Sequence, residues 1–411
     1  MKNTKIKSIS LSNYKCFEEA NINCQREDGS IFQWTVLLGN NNTGKTNVLK
    51  AIAGMRPKKI TLHLKKNKQE ADNVLIPSAF PLENSATIFN GDNQKLKREI
   101  SLELTNYSYA WKCGNHGTNI DSERALEKTF NIMAYGVSRY PSSTSLAESL
   151  CGDCATLFST EERLVNIEEW LMQLDYSAKS DNKIAGSRLS KIRELITSGI
   201  FPEIQDFKFE NTDAQHNHVL FQSRDGWFNY TELGFGYQSM LAWVIDLSKR
   251  LFDKFPESEN PLEEEAIVLI DEIDLHLHPQ WQRDVISIVS KIFKNVQFIV
   301  TTHSPLVIQS LEEVNLYVLT RENEQVSVKR SPITNFSGWT VEEILRDPMG
   351  LSNNIHSNVM QNYLSMFSEG LDSENIEMAQ RAYEKLKLII HPENPMKRIL
   401  EIQLKQLEHH D

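Results

Sequence analysis

No apolar run in this 411-residue chain approaches the roughly 18 residues that a bilayer-spanning helix needs, so no transmembrane helix is predicted. The opening MKNTKIKSIS lacks the apolar core of a secretory leader, and a cytoplasmic protein is the expectation. Cysteine is scarce and odd in number, with five residues, which excludes a disulfide framework. Cys113 and His116 (C-x-x-H) with Cys151 and Cys154 (C-x-x-C) have spacings that would suit one Zn²⁺. Gly114–Gly117 also reads as a plain hairpin turn, so thiols without a metal are the expected state. Positive charge is short too: the net charge of -11 argues against a uniformly basic nucleic-acid surface. The densest local patch, Lys58, Lys59, Lys65, Lys66 and Lys68, has no aromatic residue among it and reads as a solvated loop face. Sustained heptads are missing, which excludes a long coiled-coil arm. What remains is an ordinary globular balance, 40% hydrophobic and 24% charged, long enough for two domains or one large domain with an insertion.

Within that balance one stretch stands out, Val36-Leu-Leu-Gly-Asn-Asn-Asn-Thr-Gly-Lys-Thr-Asn47. Gly39, Gly44, Lys45 and Thr46 fit G-x-x-x-x-G-K-[ST], the phosphate-binding loop. Glycine lets the backbone curl so that the N–H groups of Asn40, Asn41, Asn42, Thr43 and Gly44 point inward, and the helix that follows adds its N-terminus. Lys45 supplies a point charge for the β- and γ-phosphates, and Thr46 a hydroxyl for Mg²⁺. The context fits: the apolar run Val36–Leu38 precedes the loop, and a helical pattern through Val48, Leu49 and Ile52 follows, with Gly54 placed to close it.

Along the chain, Ile6–Phe17 reads as a first strand running into a turn at Asn13–Phe17. Positions 55–98 read as irregular loops. The alternations Ile100, Leu102, Leu104 and Tyr107, Tyr109, Trp111 predict antiparallel strands, and Ile132–Gly136 a short one. From Pro141 the pattern turns helical for about 70 residues, with Asn166 and Glu169 at capping-box spacing and Gly199 as a stop. Strand character returns near Val219–Phe221. A loop from Tyr230 feeds a helix presenting Met240, Val244, Leu247 and Leu251. Ala266–Ile270 and Phe298–Val300 read as strands buried on both faces. Pro279 opens a helix with Trp281, Val285, Ile288 and Ile292 inward; His276 and His278, though spaced to tempt a metal reading, position that helix. Asn315–Leu319 and Val326–Val328 predict a hairpin, and everything after Ser337 is helical. Strands alternating with helices around a phosphate loop predict an α/β fold with a largely parallel sheet.

Asp271 and Glu272 end a buried strand as adjacent carboxylates. In a phosphate-loop ATPase the first belongs near Mg²⁺, and the second orients and deprotonates the attacking water. His303, in Thr301-Thr-His-Ser-Pro305, follows the next buried strand, within reach of a γ-phosphate.

The order of phosphate loop, helical insertion, Leu233-Gly-Phe-Gly-Tyr-Gln238, Asp271-Glu272, Asp274 and His303 resembles the ABC-type ATPase heads, and more narrowly the SMC-like, RecF-like and OLD-type ATPases. Asn13–Phe17 resembles their opening strand and turn, which places Lys15 beside the nucleotide. The resemblance covers about 1–55 and 225–320. It implies two heads sandwiching two ATP molecules, each site completed by the partner's signature loop, here Gly234, Gly236 and Gln238. Asp274 matches the loop that signals across the dimer, and His303 the switch histidine. Two departures stand out. Gly234 replaces the signature serine, implying slow turnover or a sensing role, and Arg139 occupies roughly the place of the family's nucleotide-contacting glutamine.

About a hundred residues follow His303, without the acidic cluster of an OLD-type nuclease domain. A short head with a helical tail is most similar to the ATPase subunits of Septu and retron anti-phage systems. That resemblance implies a separate HNH nuclease subunit, a homodimer or higher oligomer, and DNA or RNA in the assembled complex. The expected organisation is an N-terminal ATPase lobe (1–140), a helical insertion (141–212), a C-terminal lobe (213–335) and a partner-docking region (336–411) in which Val359–Met366 and Ile376–Leu407 are the candidate contacts. Two other readings stay open: a RecF-type repair ATPase that binds DNA itself, and a degenerate scaffold that holds ATP to assemble a complex. Intact Lys45, Asp271 and Glu272 speak against the last.

Overall fold

The computed structural model describes residues 4–55, 57–63, 70–77, 98–105, 108–114, 117–122, 131–143, 152–213, 216–323, 325–351 and 356–408. The chain separates into two compact units, Met1–Val341 and Glu342–Asp411.

In the first unit β1 (Ile6–Tyr14) and β2 (Phe17–Asn23) form an antiparallel hairpin. The turn between them carries Asn13 and Lys15 at positive φ. β3 (Trp34–Gly39) runs into the phosphate loop and α1 (Lys45–Gly54). That helix ends as its sequence predicts, although Met55 caps it in a right-handed conformation, so Gly54 is not a left-handed stop. Where irregular loops are predicted, β4 (Pro57–His63) and β5 (Glu70–Pro77) pair as an antiparallel hairpin. Lys58 and Lys59 lie on β4, while Lys65, Lys66 and Lys68 fall outside the described residues. β6 (Arg98–Leu104), β7 (Ser108–Gly114) and β8 (Gly117–Ser122) extend the first hairpin into a sheet of order β2-β1-β6-β7-β8.

β9 (Ile132–Tyr135) leads through the short α2 (Ala155–Phe158) to α3 (Ile167–Lys179) and α4 (Lys183–Leu195). Asn166 caps α3 by accepting a hydrogen bond from Glu169 N at 3.2 Å. Gly199, at φ 91°, ends the tight turn after α4. The stretch predicted to be a helical insertion thus holds α3 and α4, but it is strand from Asp206 onward. β10 (Asp206–Asp213) pairs with β11 (His216–Ser223), and β11 with β12 (Gly226–Asn229), in a separate antiparallel sheet.

The second half brings α5 (Phe235–Lys254), β13 (Ile267–Ile270), α6 (Pro279–Ile292), β14 (Gln297–Thr302), α7 (Pro305–Gln309) and the hairpin β15 (Asn315–Glu322) with β16 (Gln325–Arg330). The central sheet has the order β16-β15-β3-β14-β13-β9. All its pairings are parallel except that of the terminal hairpin.

Every residue of β9, β13 and β14 is buried, as expected of parallel strands covered on both faces. On one face α1 packs across β3, β14, β13 and β9, and its apolar side joins Ile9, Leu11, Ile22, Ile100 and Leu102 of the antiparallel sheet in a single core. On the other face Trp34 stacks on Phe298 at 4.3 Å and donates to Ser290 Oγ of α6, while Trp243 of α5 meets Tyr135. Residues 239–248 of α5 are all buried, so this helix is covered on every side rather than along one stripe. In α6 the buried positions are Trp281, Val285, Ile286 and Val289. The register turns slightly from the predicted set, leaving Ile288 and Ile292 half-buried. Gln297 joins the two sheets, its side-chain amide accepting from Ile6 N at 2.8 Å and donating to Ile6 O at 2.9 Å.

The second unit holds α8 (Val341–Arg346), which begins at its border, then α9 (Asn358–Asp372), α10 (Ile376–Ile389) and α11 (Pro395–Glu408). Ser357 and Asn375 cap α9 and α10. Gly370 lets α9 approach the Ala379 backbone, where a Cβ would come within 2.7 Å of Ala379 N. Phe367, Ala379, Tyr383, Leu386, Leu400 and Leu404 form its core. Among the described residues no helix is long and apolar enough to cross a membrane.

Candidate functional site

The phosphate loop leaves the C-terminal end of β3, in the middle of the parallel sheet, where such sheets bind ligands. Its glycines are required by contact. A Cβ on Gly39 would sit 2.5 Å from Leu319 O, and one on Gly44 (φ 84°) 2.5 Å from Cys16 Sγ and 2.8 Å from Phe17 Cζ. Asn42 also takes positive φ, and Arg321 Nη1 donates to its carbonyl at 3.1 Å. Thr43 Oγ1 donates to Asn40 O. Lys45 folds back over the loop, and its Nζ donates to Gly39 O at 2.7 Å and Asn40 O at 2.8 Å. The loop thus wraps its own lysine, at the place where phosphate oxygens would compete for the same ammonium. Asn41 is exposed on the loop, and Asn47 Oδ1 accepts from Lys15 Nζ at 3.2 Å, which places Lys15 beside the first turn of α1.

Two strands over, β13 delivers the acids. Thr46 Oγ1 donates to Asp271 Oδ2 at 2.8 Å, and Thr301 Oγ1 donates to Asp271 Oδ1 at 2.7 Å. A hydroxyl and a carboxylate side by side are a hard-oxygen donor set of the kind Mg²⁺ takes while keeping water and phosphate as its other ligands, so the residues present fit that ion. Thr301 Oγ1 also accepts from Glu272 N at 2.7 Å. Glu272 stands at φ 50°, a conformation uncommon for a side chain with a Cβ and one that collects at functional sites. Thr302 Oγ1 donates to Asp274 Oδ1 at 2.5 Å. His303 follows at the end of β14, half-buried, and Ser304 caps α7 while donating to Gln282 Oε1.

The electrostatics join these groups. Burial lowers the Lys45 ammonium, opposed by Asp271, Glu272 and Asp274. Burial also lowers the His303 imidazole, and the charge of Lys45 adds to that effect. Arg139 is 2% exposed and is pushed down to about 10 by burial, against the pull of the same acids. Lys45, Thr46, Asp271, Glu272, Asp274, His303 and Lys15 are therefore gathered around the ends of β3, β13 and β14.

Gly234, Gly236 and Gln238 lie elsewhere, at the start of α5. Gly234 is its N-cap, without a side-chain cap. Gln238 Nε2 donates to Thr231 O and Leu233 O, tying down the preceding turn. Gly236 is pressed onto the loop before α6, where a Cβ would meet His276 O at 2.7 Å. His276, at φ 65°, and His278, whose Nδ1 accepts from Gln280 N, shape the entry to α6 as read from the sequence. Arg139 is buried, and its Nη2 donates to Glu272 O at 2.8 Å. The possible zinc set falls outside the described residues at His116 and Cys151. Cys113 is placed on β7, and the buried Cys154 thiol reaches Ile132 O at 3.7 Å.

Sequence reasoning missed Thr301 as the residue that holds Asp271 and Glu272 together. The signal was present, since two threonines at the mouth of a buried parallel strand have only polar neighbours to satisfy.

Residues 5–142 match a family described as an AAA ATPase domain, and residues 168–309 one described as an AAA domain, putative AbiEii toxin, Type IV TA system. The chain is 26% identical over 392 residues to the Septu protein PtuA of Bacillus thuringiensis, covering 90% of this chain and 92% of that protein. It is 37% identical over 145 residues to the Retron Ec83 probable ATPase of Escherichia coli, covering 35% of this chain and 27% of that protein. Among solved structures, an SMC head bound to the C-winged helix domain of ScpA aligns over 79% of this chain and 97% of its own, with 13% identity and a TM-score of 0.46.

Proposed function

We propose that this chain, an ABC-type AAA ATPase related to the Septu PtuA proteins, hydrolyses ATP between two copies of itself in the cytoplasm and thereby controls a separate HNH-type nuclease in an anti-phage complex. The observation that carries the ATPase chemistry is the 2.8 Å hydrogen bond between Thr46 and Asp271, which closes the phosphate loop onto the acids of β13. Lys45 and the backbone of Asn41–Gly44 hold the phosphates. Thr46 and Asp271 would hold Mg²⁺, which when bound screens the charge of the β- and γ-phosphates. Glu272 takes the proton of the attacking water, and His303 bonds the γ-phosphate. The second copy closes the site with the N–H groups around its Gly236. Gly234 in place of a serine keeps turnover slow.

Purifying the tagged protein from its native operon context, identifying what binds, and weighing the complex with and without ATP tests this. A co-purifying small nuclease in a complex of head dimers, with or without bound DNA or RNA, is the expected result. A homodimer without partner that gains salt-sensitive DNA affinity on ATP addition would overturn the defence reading in favour of a repair ATPase acting on DNA itself.

A further inference from the structure

Among the described residues the buried cationic side chains are Lys45 and Arg139. Lys45 has its phosphate loop to explain it. Arg139 has no such reason to be buried, and arginine is among the residues least often buried unless paired. Its Nη2 donates to Glu272 O, but its Nε and Nη1 are buried with no hydrogen-bond partner. Buried donors are almost always satisfied, and an apolar side chain of similar volume would avoid their desolvation altogether. The place therefore calls for a cation. Asp271, Asp274 and Glu272 are the charges that pull on it, and the same three pull on Lys45. Both cations feel the same three acids.

The surroundings of Arg139 show what it holds. The Glu272 backbone is at φ 50°, with its N–H fixed by Thr301 and its carbonyl fixed by Arg139. A strained conformation persists only where its neighbours enforce it. The segment that carries Arg139 is itself fixed. Gly136 is so close to α2 that a Cβ would lie 2.1 Å from Thr156 O, and Tyr135 O just before it accepts from Asp271 N at 2.9 Å. Two residues of one segment, four positions apart, thus set the two adjacent residues of the acid pair: Tyr135 of β9 holds Asp271 and Arg139 holds Glu272.

We propose that Arg139 is a positioning residue for hydrolysis. It fixes the Glu272 backbone and acts as the counter-charge of the acid cluster, without touching the nucleotide. The inference rests on the ATPase reading above, with Glu272 as general base. Once phosphate takes Lys45, Arg139 is the cation that stays with the acids. A lysine would keep the charge but lose the planar fork that reaches the carbonyl.

The test is a double-mutant cycle in the full chain, with R139M, R139K, E272Q and R139M/E272Q compared in steady-state ATP hydrolysis, fluorescent-nucleotide binding and thermal unfolding. R139M should lower kcat about 100-fold, the loss typical of a misplaced reacting group, with nucleotide Kd within about threefold of the parent. R139K should recover part of that loss. R139M/E272Q should be no slower than E272Q alone, because both variants disable the same group. Parent-like turnover by a folded R139M would overturn the proposal. So would a loss of nucleotide affinity as large as the loss of kcat, or losses that multiply in the double variant. If R139M does not fold, the same cycle is run with R139K and E272Q, and additive losses overturn the proposal there too. Failure of the underlying reading is seen separately, as parent-like hydrolysis by E272Q alone.

Discussion

The phosphate loop and the signature loop are both glycine-rich entries to a helix, yet they end up in opposite conditions. The phosphate loop is closed on itself: Lys45 covers its carbonyls, Thr46 reaches Asp271, and Gly44 is wedged against Cys16 and Phe17. The signature loop is tied down from behind by Gln238 and pressed on His276 through Gly236, while Phe235 between the two glycines is 68% exposed and the N-cap of α5 has no side-chain partner. One loop has its contacts within the chain. The other leaves the N-terminus of a 20-residue helix and the Phe235 ring exposed. This contrast is what two half-sites on different molecules would require.

The largest expected effect lies on the closed side. Lys45→Ala should abolish ATP binding in a fluorescent-nucleotide titration, and retained affinity would remove the lysine from the phosphate site. Glu272→Gln should leave binding intact while lowering kcat about 100- to 10,000-fold, the range for loss of a general base.

On the open side, Gly236→Ala forces a shift of the His276 loop and should cut turnover at least about tenfold with ATP affinity kept. Mixing that variant with Lys45→Ala is the direct test of the contrast. If sites are shared between copies, random pairing should return about a quarter of the parental activity, through one good site in half of the dimers. No recovery would mean that each chain completes its own site. Gly234→Ser, which supplies a hydroxyl at the N-cap, should raise kcat a few-fold, since hydroxyl-bearing residues are favoured there.

The smallest effect concerns pH. Burial holds the His303 imidazole below its ordinary value, so the unfolded chain takes up the proton first as pH falls through about 6.5. Nucleotide-free stability should therefore decline over that range, and His303→Gln should remove part of the slope in thermal unfolding.

The two loops also differed in how well the sequence announced them. Gly39 to Thr46 is a local pattern whose geometry follows from its own residues, and Asp271-Glu272 and His303 end strands whose continuous apolar runs are hard to misread. Arg139 could not be placed that way. Its role depends on a hydrogen bond to a residue 133 positions later, and nothing beside it in the chain points to Glu272. A helical pattern extended to 212 takes in the strand β10, although Phe207 and Phe209 alternate with Asp206, Lys208 and Glu210. Its partner β11, which buries Phe221 against Phe207, is what decides the matter. In α5 the 3.6-residue pattern marks a helix, but burial on all sides comes from Tyr135 of the sheet and from α3 and α4, which periodicity does not report.

The order of strands in the central sheet sets a timetable for the newborn chain. β3 emerges early, yet both its neighbours, β14 and β15, are made only after residue 296. At about 5–20 residues per second, Trp34–Leu38 would wait roughly ten to fifty seconds for a partner. The two stretches matched by known families, 5–142 and 168–309, are not two independent folding pieces, since β3 and β9 from the first are interleaved with β13 and β14 from the second. A ribosome stalled between them would carry β3 and β9 without the strands that pair with them, a natural client for chaperones. The same interleaving makes the two halves, produced as separate polypeptides, candidates to find each other and close the sheet.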